Sequence, residues 1–522
     1  MKVITGSEMK ELDKLVINSL GILAEILMER AGLGVAENIL KYYPLEKYEK
    51  VLVVCGPGNN GGDGMVCARH LWDKDYEVKV VLLSNKEKYK GEALINLKIL
   101  EKLNFPLEKS ENVSTFRDLL YFYSPQIVVD AIFGTGLKRV IDGFFKEVIE
   151  EINAYKIKKE AKVVAVDIPS GVCADTGQIL GTAVKADLTV TFELPKIGHF
   201  FYPGKEYTGK LEIVSIGFPK KIIEEKAPQR EYLDFNWAKK VLKPRKGYTH
   251  KGTFGHVLIL AGSRGKSGAG ALCALGSLKG GAGLVTLAST KTLQNVYCSL
   301  IPEILTAGFE ENDKGEISYK NLKDLLELTK NKDVLVIGPG LGLSEEVKKL
   351  FFELISELNI PVVIDADALT HLSENPEILK NYKAPKILTP HPGEAVRLLK
   401  VPKEEIMKDR LGSVKKLSEL TDSIVVLKGP HSIIYSPDGR CGISSIDEPG
   451  LSQGGQGDIL SGLIGAFIAQ GYEPFIATSL AVYLHGSAGR YLSKNLGPFG
   501  YTATEVAETI PKILKEITND RP

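Results

Sequence analysis

Short apolar runs alternate with segments of helical apolar spacing along most of the chain. In the first half, the runs predict buried strands at 51–55, 77–83, 126–133, 162–168, 187–193 and 210–217. The helical spacing predicts two helices within 7–43, broken near 18–21, and others at 65–73, 91–103 and 143–156. In the second half, strands are predicted within 255–263 and at 334–337, 362–364, 387–388 and 425–427, with helices at 267–279 and 458–468. This alternation predicts an α/β protein whose parallel sheets are covered by helices on both faces.

The charged stretch 219–235 lacks a sustained pattern and predicts a connection between two domains. We therefore expect a first domain at 1–219, a linker at 220–235 and a second domain at 236–522. The length of 522 residues is enough for two substantial cores.

Composition narrows the classes of partner. The formal net charge is +1, with 25% charged and 44% hydrophobic residues, so bulk charge favours neither a nucleic-acid nor a membrane surface. No apolar run reaches the roughly 18 residues that span a bilayer. The six cysteines form no C-x-x-C pair, which favours free thiols in the cytoplasm over disulfides or zinc. Sheets of this class often assemble as symmetric oligomers, so we expect a homo-oligomer.

The strand ends of the first half carry glycines, amides and acids. The stretch 56–64 matches the dinucleotide fingerprint, but the next strand ends at 83–85 without the acid that would hold a ribose, which argues against a Rossmann dehydrogenase. Side-chain oxygens beside a tight backbone suit a cation or a polar ligand. Because the carboxyl ends of parallel strands face one crevice, we expect four residues to lie near one another: Asn60, Asp130, Asp167 and Ser170.

The stretch 452–460 is the strongest single signal of the second half. Its glycines and a following helix N-terminus predict a nest of amide groups for an anion such as a phosphoryl group. Asp458, at the mouth of this nest, is placed to take a proton from an attacking hydroxyl. The alternative is a glycine-rich turn capped by an aspartate. Residues 264–267 imitate the end of a phosphate-binding P-loop, but Leu260 occupies the position of its opening glycine, which excludes that motif.

Other strand ends of the second half bring polar groups to the same edge. His391 is a candidate substrate ligand because it follows a strand near the nest. Lys428 would contact either a nucleotide phosphate or a carboxylate at the sheet edge.

The first half resembles the NAD(P)H-hydrate epimerase domain, through 56–64, 129–137 and 167–171, over about residues 1–219. The resemblance implies a Rossmann-like three-layer αβα domain that binds hydrated NADH or NADPH, and a potassium ion held by Asn60, Asp130 and Ser170. It implies that Asp167 touches the substrate, which would let its carboxylate shuttle a proton while the C6 hydroxyl leaves and returns. Lys138 is a candidate for acting on the reacting ring. The implied substrate contacts are Asn59, Asn60, Gly61, Gly62, Asp63, Gly134, Thr135, Gly136, Leu137, Lys138, Arg139, Val140 and Asp167.

The second half is similar to the ribokinase-like superfamily and, within it, to the ADP- or ATP-dependent NAD(P)H-hydrate dehydratases, over about residues 236–510. The matching stretches are 261–263, 338–342, 365–369, 389–394 and 454–458. The resemblance implies hydrate contacts at Ala269, Gly340, His391 and Asp458. It places nucleotide contacts at Lys428, Gly429, Pro430, His431, Ser432 and Gly457, next to the nest residues Gly454, Gly455 and Gln456. Magnesium would assist, with Glu394 as a ligand through water. Many relatives carry a small hydroxylated residue at the position of Gln456, which leaves the choice between ADP and ATP open.

Together these features predict a two-activity enzyme that repairs hydrated NADH and NADPH. One domain would interconvert the C6 epimers, and the other would phosphorylate the C6 hydroxyl and eliminate phosphate. One alternative is a ribokinase-like small-molecule kinase fused to a non-catalytic ligand-binding domain, which would accumulate a phosphorylated product. Another alternative treats the first domain as a scaffold or RNA-associated module, against which the lack of a basic excess argues.

Overall fold

The strands form two separate sheets, one in each of two units of the chain. A computed structural model describes residues 1–519. The N-terminal unit spans Lys2–Pro228, and the C-terminal unit begins at Gln229 and includes Met1. The predicted α/β class is confirmed for both units. No helix within residues 1–519 is both long enough and apolar enough to cross a membrane.

The N-terminal unit has a seven-stranded, all-parallel sheet in the order β3-β2-β1-β4-β5-β6-β7. Its strands are β1 Lys50–Cys55, β2 Glu77–Leu82, β3 Leu107–Lys109, β4 Ile127–Ala131, β5 Lys162–Val166, β6 Leu188–Phe192 and β7 Lys210–Val214. Its helices are α1 Gly6–Asn18, α2 Ala24–Tyr42, α3 Asn59–Trp72, α4 Gly91–Lys102, α5 Val113–Tyr123, α6 Gly143–Lys159, α7 Lys205–Thr208 and α8 Lys220–Lys226.

Both faces of this sheet are buried, which explains why its strands are apolar without alternation. In β1, Val51 and Val53 pack into a core with α1 to α4, whereas Leu52 and Val54 pack into a second core with α5 and α6. The unit therefore has three layers. Strand β3 and helix α5 escape the sequence prediction; β3 is short and largely exposed.

The C-terminal unit has a ten-stranded sheet in the order β11-β10-β9-β12-β13-β14-β15-β16-β17-β8. Strands β9 to β15 run parallel, whereas β16 is antiparallel to both β15 and β17. The strands are β8 Arg230–Leu233, β9 His256–Leu260, β10 Leu284–Thr290, β11 Leu305–Phe309, β12 Val334–Ile337, β13 Val362–Ile364, β14 Lys386–Leu388, β15 Ile424–Leu427, β16 Ile433–Tyr435 and β17 Cys441–Ser444.

Helices of the C-terminal unit cover this sheet. Helices α10, α18, α19 and α20 pack with inward residues of β9 and β12 in one large core. The helices are α9 Phe235–Val241, α10 Ser267–Lys279, α11 Lys291–Leu300, α12 Leu322–Thr329, α13 Glu345–Glu357, α14 Ala366–Leu372, α15 Pro392–Leu399, α16 Lys403–Lys408, α17 Arg410–Thr421, α18 Gln456–Ala469, α19 Pro474–Asn495 and α20 Ala503–Asn519.

The segment expected to link the domains, 220–235, is itself structured. It contains α8 in the N-terminal unit and β8, which pairs in parallel with β17 in the C-terminal unit. The sequence pattern did not indicate either element. Helix α8 buries no residue, and β8 is only four residues long.

Candidate functional site

The glycine-rich stretch after β1 is the beginning of helix α3. The expected helix start near Met65 is wrong, because α3 begins at Asn59. A Cβ on Gly61 would lie 2.0 Å from the carbonyl oxygen of Gly56, so only glycine allows this close approach. The glycines therefore serve packing as well as loop formation, and they bring the start of α3 to the sheet edge.

A cavity of about 1040 Å³ opens beside that helix start in the N-terminal unit. It lies where β1, β4 and β5 end, and α1 and α2 contribute its other walls. Its volume suits a ligand larger than a typical drug molecule. The predicted contact residues that line it are Asn59, Asn60, Asp63, Gly134, Thr135, Gly136, Leu137, Lys138, Arg139 and Asp167.

Three predicted contact residues do not line the cavity: Gly61, Gly62 and Val140. A Cβ on Gly62 would lie 2.6 Å from the sulfur of Met28, so this glycine packs against α2 instead. The Val140 side chain is largely exposed. The family resemblance implied these three residues as parts of the continuous runs 59–63 and 134–140, and helical geometry turns the two glycines away from the cavity.

Asp130 and Ser170 form a buried cluster close to Asn60. The Ser170 hydroxyl donates to Oδ1 of Asp130 at 2.6 Å, and the Ser170 amide donates to Oδ2 at 2.8 Å. Burial raises the pKa of Asp130 to about 6, although the Ser170 hydrogen bonds oppose the rise. Phe133 donates its amide to the Ser170 hydroxyl at 2.8 Å. Gly134 follows, and a Cβ on it would lie 3.1 Å from Oδ1 of Asn60.

This cluster fits a monovalent cation. Its side chains offer carboxylate, hydroxyl and amide oxygens, which are hard ligands. The Asn60 Nδ2 atom is buried without a hydrogen-bond partner. Flipping the Asn60 amide exchanges its nitrogen and oxygen. An oxygen, which can bind a cation, then takes the place of the unpartnered nitrogen.

Asp167 lies at the end of β5 beside a lysine that the sequence reasoning missed. The ammonium of Lys196 donates to Oδ1 of Asp167 at 2.6 Å, and the Thr191 hydroxyl donates to the same oxygen at 2.9 Å. Burial alone would raise the pKa of Asp167, but the Lys196 charge outweighs it and holds this pKa below its ordinary value. Asp167 is therefore ionised. Its φ of +64° is left-handed, which aspartate tolerates better than most residues.

The side chain of His199 fixes the backbone around this pair. Its Nδ1 accepts from the Lys196 amide at 3.0 Å, so Nε2 carries the proton and donates to the Asp167 carbonyl at 3.0 Å. Burial and the Lys196 charge lower the pKa of His199 to about 3, which keeps the ring neutral. The available signal was the single lysine of the mostly apolar stretch 194–201.

In the C-terminal unit, the loop after β12 meets the first turn of α10, at Gly340 and Ala269. A Cβ on Gly340, where φ is +59°, would lie 3.1 Å from the Ala269 methyl group. The Ser263 hydroxyl donates to the Gly340 carbonyl at 2.8 Å. Lys266, which imitated a P-loop lysine, pairs instead with Asp367 at 2.9 Å.

Lys428 pairs with Asp365 at the end of β13. Its ammonium lies 3.0 Å from Oδ1 of Asp365 and 3.9 Å from Glu394. Burial alone would lower the pKa of Lys428, but the two carboxylates outweigh it and raise this pKa, so the lysine is charged. Of the two contacts expected for Lys428, the carboxylate at the sheet edge is therefore present. Ser461 of α18 donates to Oδ2 of Asp365 at 2.5 Å, which ties this pair to the helix that carries the nest.

His391 and Glu394 begin helix α15 as a capping box. Nδ1 of His391 accepts from the Gly393 amide at 2.9 Å, and Oε2 of Glu394 accepts from the His391 amide at 2.8 Å. About half of the His391 side chain remains exposed. Burial lowers the pKa of His391, and the nearby Lys428 lowers it further, so a neutral ring faces the solvent.

The predicted nest is the N-terminus of helix α18. Gly455 is its N-cap, with φ +87° and no side-chain hydrogen bond to the first amides, and the helix begins at Gln456. Asp458 lies in the first turn, where burial and then the charge of Asp365 raise its pKa to about 7. Lys428 faces the same turn, since a Cβ on Gly457 would lie 3.2 Å from its ammonium. The arrangement combines free amides, a cation and a carboxyl group that gains and loses a proton near neutral pH.

The Gln456 side chain turns away from solvent toward α19. Its Oε1 accepts from Nε2 of His485 at 3.1 Å, and burial lowers the pKa of His485 to about 4. The neighbouring nest residues Gly454, Gly455 and Gly457 have no side chain to offer a ligand. Gln456 therefore contributes its backbone amide rather than its side chain to the nest.

The loop 428–432 after β15 has an inward-facing histidine. His431 is buried, with φ +48°, and its Nδ1 donates to the Ser444 carbonyl at 2.8 Å. The Ser432 hydroxyl bonds to the Gly429 carbonyl at 3.0 Å, and a buried arginine, Arg410, donates to the Pro430 carbonyl. Any ligand of this loop would meet its backbone and Ser432 rather than the His431 ring.

No group of three or more His, Cys, Asp or Glu side chains in residues 1–519 is arranged to hold a metal ion.

Two family models match separate parts of the chain. One describes a YjeF-related protein N-terminus and matches residues 24–198. The other describes NAD(P)H-hydrate dehydratase and matches residues 257–512.

Curated relatives match over the whole length. A protein of Moorella thermoacetica named bifunctional NAD(P)H-hydrate repair enzyme Nnr is 38% identical, over 100% of this chain and 98% of its own length. Proteins with the same name from Thermofilum pendens and Escherichia coli K12 are 38% and 32% identical, over 100% and 96% of this chain and 97% and 92% of their own lengths.

Solved structures cover single units. An ADP/ATP-dependent NAD(P)H-hydrate dehydratase from Bacillus subtilis, co-crystallised with ATP and magnesium, is 28% identical over 55% of this chain and 98% of its own, with a TM-score of 0.48. A yeast protein is 27% identical over 44% of this chain and 94% of its own, with a TM-score of 0.38. On the full-length relatives, the chain belongs to the family of bifunctional NAD(P)H-hydrate repair enzymes.

Proposed function

We propose that the two units divide the repair of hydrated NADH and NADPH between them. Residues 1–219 would epimerise C6 and residues 236–522 would carry out the dehydration, with 220–235 joining the two parts. Each unit supports this division with its own carboxyl group, Asp167 after strand β5 in one and Asp458 in the first turn of α18 in the other. The two family models also fall on opposite sides of residues 220–235.

In the N-terminal unit, the hydrated nicotinamide ring would lie in the cavity against Asp167. The ring nitrogen can expel the C6 hydroxyl, and return of water to the planar iminium scrambles the stereocentre. An ionised Asp167, held by Lys196, suits the role of proton acceptor when water returns. Lys138 lies on the exposed part of the cavity wall, where it suits contact with the substrate's phosphates better than proton transfer.

A potassium ion would be held by Asn60, Asp130 and Ser170. When bound, it supplies positive charge next to a dinucleotide and fixes the loops after β1, β4 and β5. The buried, unpartnered amide of Asn60 supports this assignment. We expect replacement of potassium by N-methylglucamine to lower epimerisation and Ser170→Ala to weaken the dependence on potassium, while dehydration of the isolated substrate epimer continues in both cases.

In the C-terminal unit, Asp458 would take the proton of the C6 hydroxyl as its oxygen attacks the terminal phosphate of ADP or ATP. The amides of 454–457 would stabilise the transferring phosphoryl group. Phosphate then leaves from C6 and a proton leaves from C5, which restores the dihydropyridine. A pKa of about 7 suits Asp458 to this exchange at neutral pH. Ala269, Gly340 and His391 come after β9, β12 and β14 of the same sheet and would contact the hydrate.

The nucleotide would lie along Gly429, Pro430 and Ser432, next to the nest. Magnesium, when bound, neutralises phosphate charge; the phosphates themselves would hold it, with Glu394 bonding one of its waters. The choice between ADP and ATP depends on how these backbone donors meet the terminal phosphate.

One experiment tests the division of labour. The chain is incubated with mixed hydrate epimers, nucleotide, magnesium and potassium, and the absorbance of reduced nicotinamide is followed. We expect full conversion by the native chain, conversion of only one epimer by Asp167→Asn over the same short time, and none by Asp458→Ala. Accumulation of a phosphorylated product without reduced nicotinamide would instead support a small-molecule kinase.

We also propose the cytoplasm as the compartment and a homo-oligomer as the working state. The six cysteines are free thiols, which suits a reducing compartment. Light scattering on the purified chain tests the oligomeric state directly.

A further inference from the structure

Five carboxyl groups face the cavity of the N-terminal unit, but only two of them belong to buried residues. The buried ones are Asp63 and Asp167, whereas Glu11 is exposed and Asp13 and Glu92 are partly exposed. Asp63 lies on α3 and Asp167 follows β5, so two different elements bring them to the same space.

The surroundings of these two carboxyl groups differ in charge. Asp167 accepts from the buried ammonium of Lys196, whereas no cation pairs with Asp63 anywhere in residues 1–519. A buried carboxyl group without a cation favours its neutral form. Burial raises the pKa of Asp63 well above its ordinary value, and the charges of Asp167 and Asp13 raise it further, against a smaller opposing effect of Lys196.

The other charged groups around the cavity do not reverse this difference. Asp13 on α1 is itself half-neutral near pH 6, because burial raises its pKa to about 6. The remaining charged groups on the cavity wall are mostly exposed to solvent, where their fields are screened: Lys10, Glu11 and Lys14 on α1, Glu92 on α4, and Lys138 and Arg139 after β4.

Epimerisation through an iminium needs an acid as well as a base. Hydroxide is a poor leaving group, so the departing C6 oxygen must receive a proton, and the returning water must lose one. Two carboxyl groups whose environments shift their pKa values apart can serve as the acid and the base of one reaction. We propose that Asp63 is the general acid of epimerisation, which protonates the departing C6 hydroxyl, while Asp167 is the base that deprotonates the returning water. This inference rests on the proposed placement of epimerisation in the N-terminal unit.

The step balances without any further reactant. The Asp63 proton passes to the C6 oxygen, the C6–O bond breaks, and the nitrogen lone pair forms the C6=N1 double bond as water leaves. Water then adds to the other face of C6, its proton passes to the Asp167 carboxylate, and the π electrons return to nitrogen. The proton now lies on Asp167. In this state the enzyme can convert the opposite epimer by the reverse steps, or proton exchange with solvent can restore the proton to Asp63.

The test compares Asp63→Asn with Asp118→Asn in the full-length chain. Asp118 lies exposed on α5, away from the cavity, and receives the same substitution. Epimerisation is followed in ¹⁸O-water, so that oxygen exchange at C6 reports each cleavage of the C6–O bond. We expect Asp63→Asn to lose at least about 10²-fold in the kcat of both epimerisation and exchange, with little change in KM. Asp118→Asn should match the native chain.

A pH profile gives a readout that a purely structural role would not move. Epimerisation should fall at alkaline pH as Asp63 loses its proton. Asp13→Asn removes a negative charge that raises the Asp63 pKa, so this alkaline limb should move to lower pH. If Asp63→Asn does not fold, this shift decides the matter.

Three results would overturn the proposal: near-native kcat in folded Asp63→Asn, no ¹⁸O incorporation by the native chain, or an alkaline limb that Asp13→Asn leaves in place. Failure of the underlying assignment looks different, because the native chain itself would then not accelerate epimerisation above the enzyme-free rate.

Discussion

The ammonium of Lys196 lies 2.6 Å from the Asp167 carboxylate, and the Lys196 side chain is completely inaccessible to solvent. The two residues are 29 positions apart in sequence, and β6 lies between them. The lysine therefore decides the charge of the carboxylate that faces the cavity. A carboxylate at this depth without a cation would be neutral near pH 7.

Lys196→Met should lose epimerisation by about 10²-fold or more at pH 7, because burial would then keep Asp167 protonated. Residual activity should rise with pH as the carboxyl group ionises. The pKa of Asp167 is lower in the folded state than in the unfolded state, so its ionisation stabilises the fold above the unfolded pKa, and this stabilisation is lost as pH falls. Removal of one partner of a buried ion pair costs about 3–5 kcal/mol of stability. Rate and thermal unfolding measure both effects, with exposed Lys98→Met as the control. An unchanged pH profile would contradict this account.

Dehydration should fall below about pH 7 as Asp458 gains a proton, because the base must be ionised. Asp458→Asn should lose dehydration at all pH values by about 10²-fold or more, while epimerisation by the same chain continues as an internal control.

Asp458→Asn, which should lower the rate of dehydration, should raise the stability of the fold. The folded pKa of Asp458 is raised, so ionisation makes the folded state progressively less favourable between about pH 4 and pH 7. The Tm advantage of Asp458→Asn over the native chain should therefore be larger at pH 8 than at pH 4. Equal differences at both pH values would show that the folded and unfolded pKa values agree.

Asp365→Asn should lower dehydration without affecting epimerisation. Lys428 and Ser461 both bond to this carboxylate, so its loss would leave the ammonium at the nest without its closest partner. We expect a loss in kcat with a changed dependence on nucleotide concentration. Asp438→Asn, on an exposed turn of the same unit, provides the control. Kinetics in Asp365→Asn that match the native chain would mean that Lys428 keeps its position without the Asp365 carboxylate.

Gly61→Ala should destabilise the N-terminal unit by about 1–3 kcal/mol or more, because its Cβ would overlap the Gly56 carbonyl oxygen at 2.0 Å. Gly136→Ala is the matched control, since no atom lies within 4 Å of its Cβ position. Chemical denaturation monitored in the full-length chain should resolve the difference. Equal stability of the two variants would refute the packing role of Gly61.

The sequence alone was enough to predict the strand ends that carry Asp130, Asp167, His391 and Lys428, because apolar runs and glycines mark them locally. It was not enough for contacts between distant segments. Lys196 is one example, since a single lysine gives no sign of which carboxylate it meets. The helical start at Asn59 is another, because glycine usually indicates a loop and only the neighbouring Gly56 carbonyl explains it. Asp365 belongs to the same class, since its partners come from the loop after β15 and from α18.

Strand β8 is the first strand of its unit along the chain, yet it pairs with β17, about two hundred residues later. During synthesis, the N-terminal unit is complete once Pro228 has left the ribosome, whereas β8 must wait for about two hundred further residues before its partner exists. Such a distant pairing slows folding. The nascent chain should thus acquire a folded first half early and hold β8 unpaired while about two hundred further residues are added.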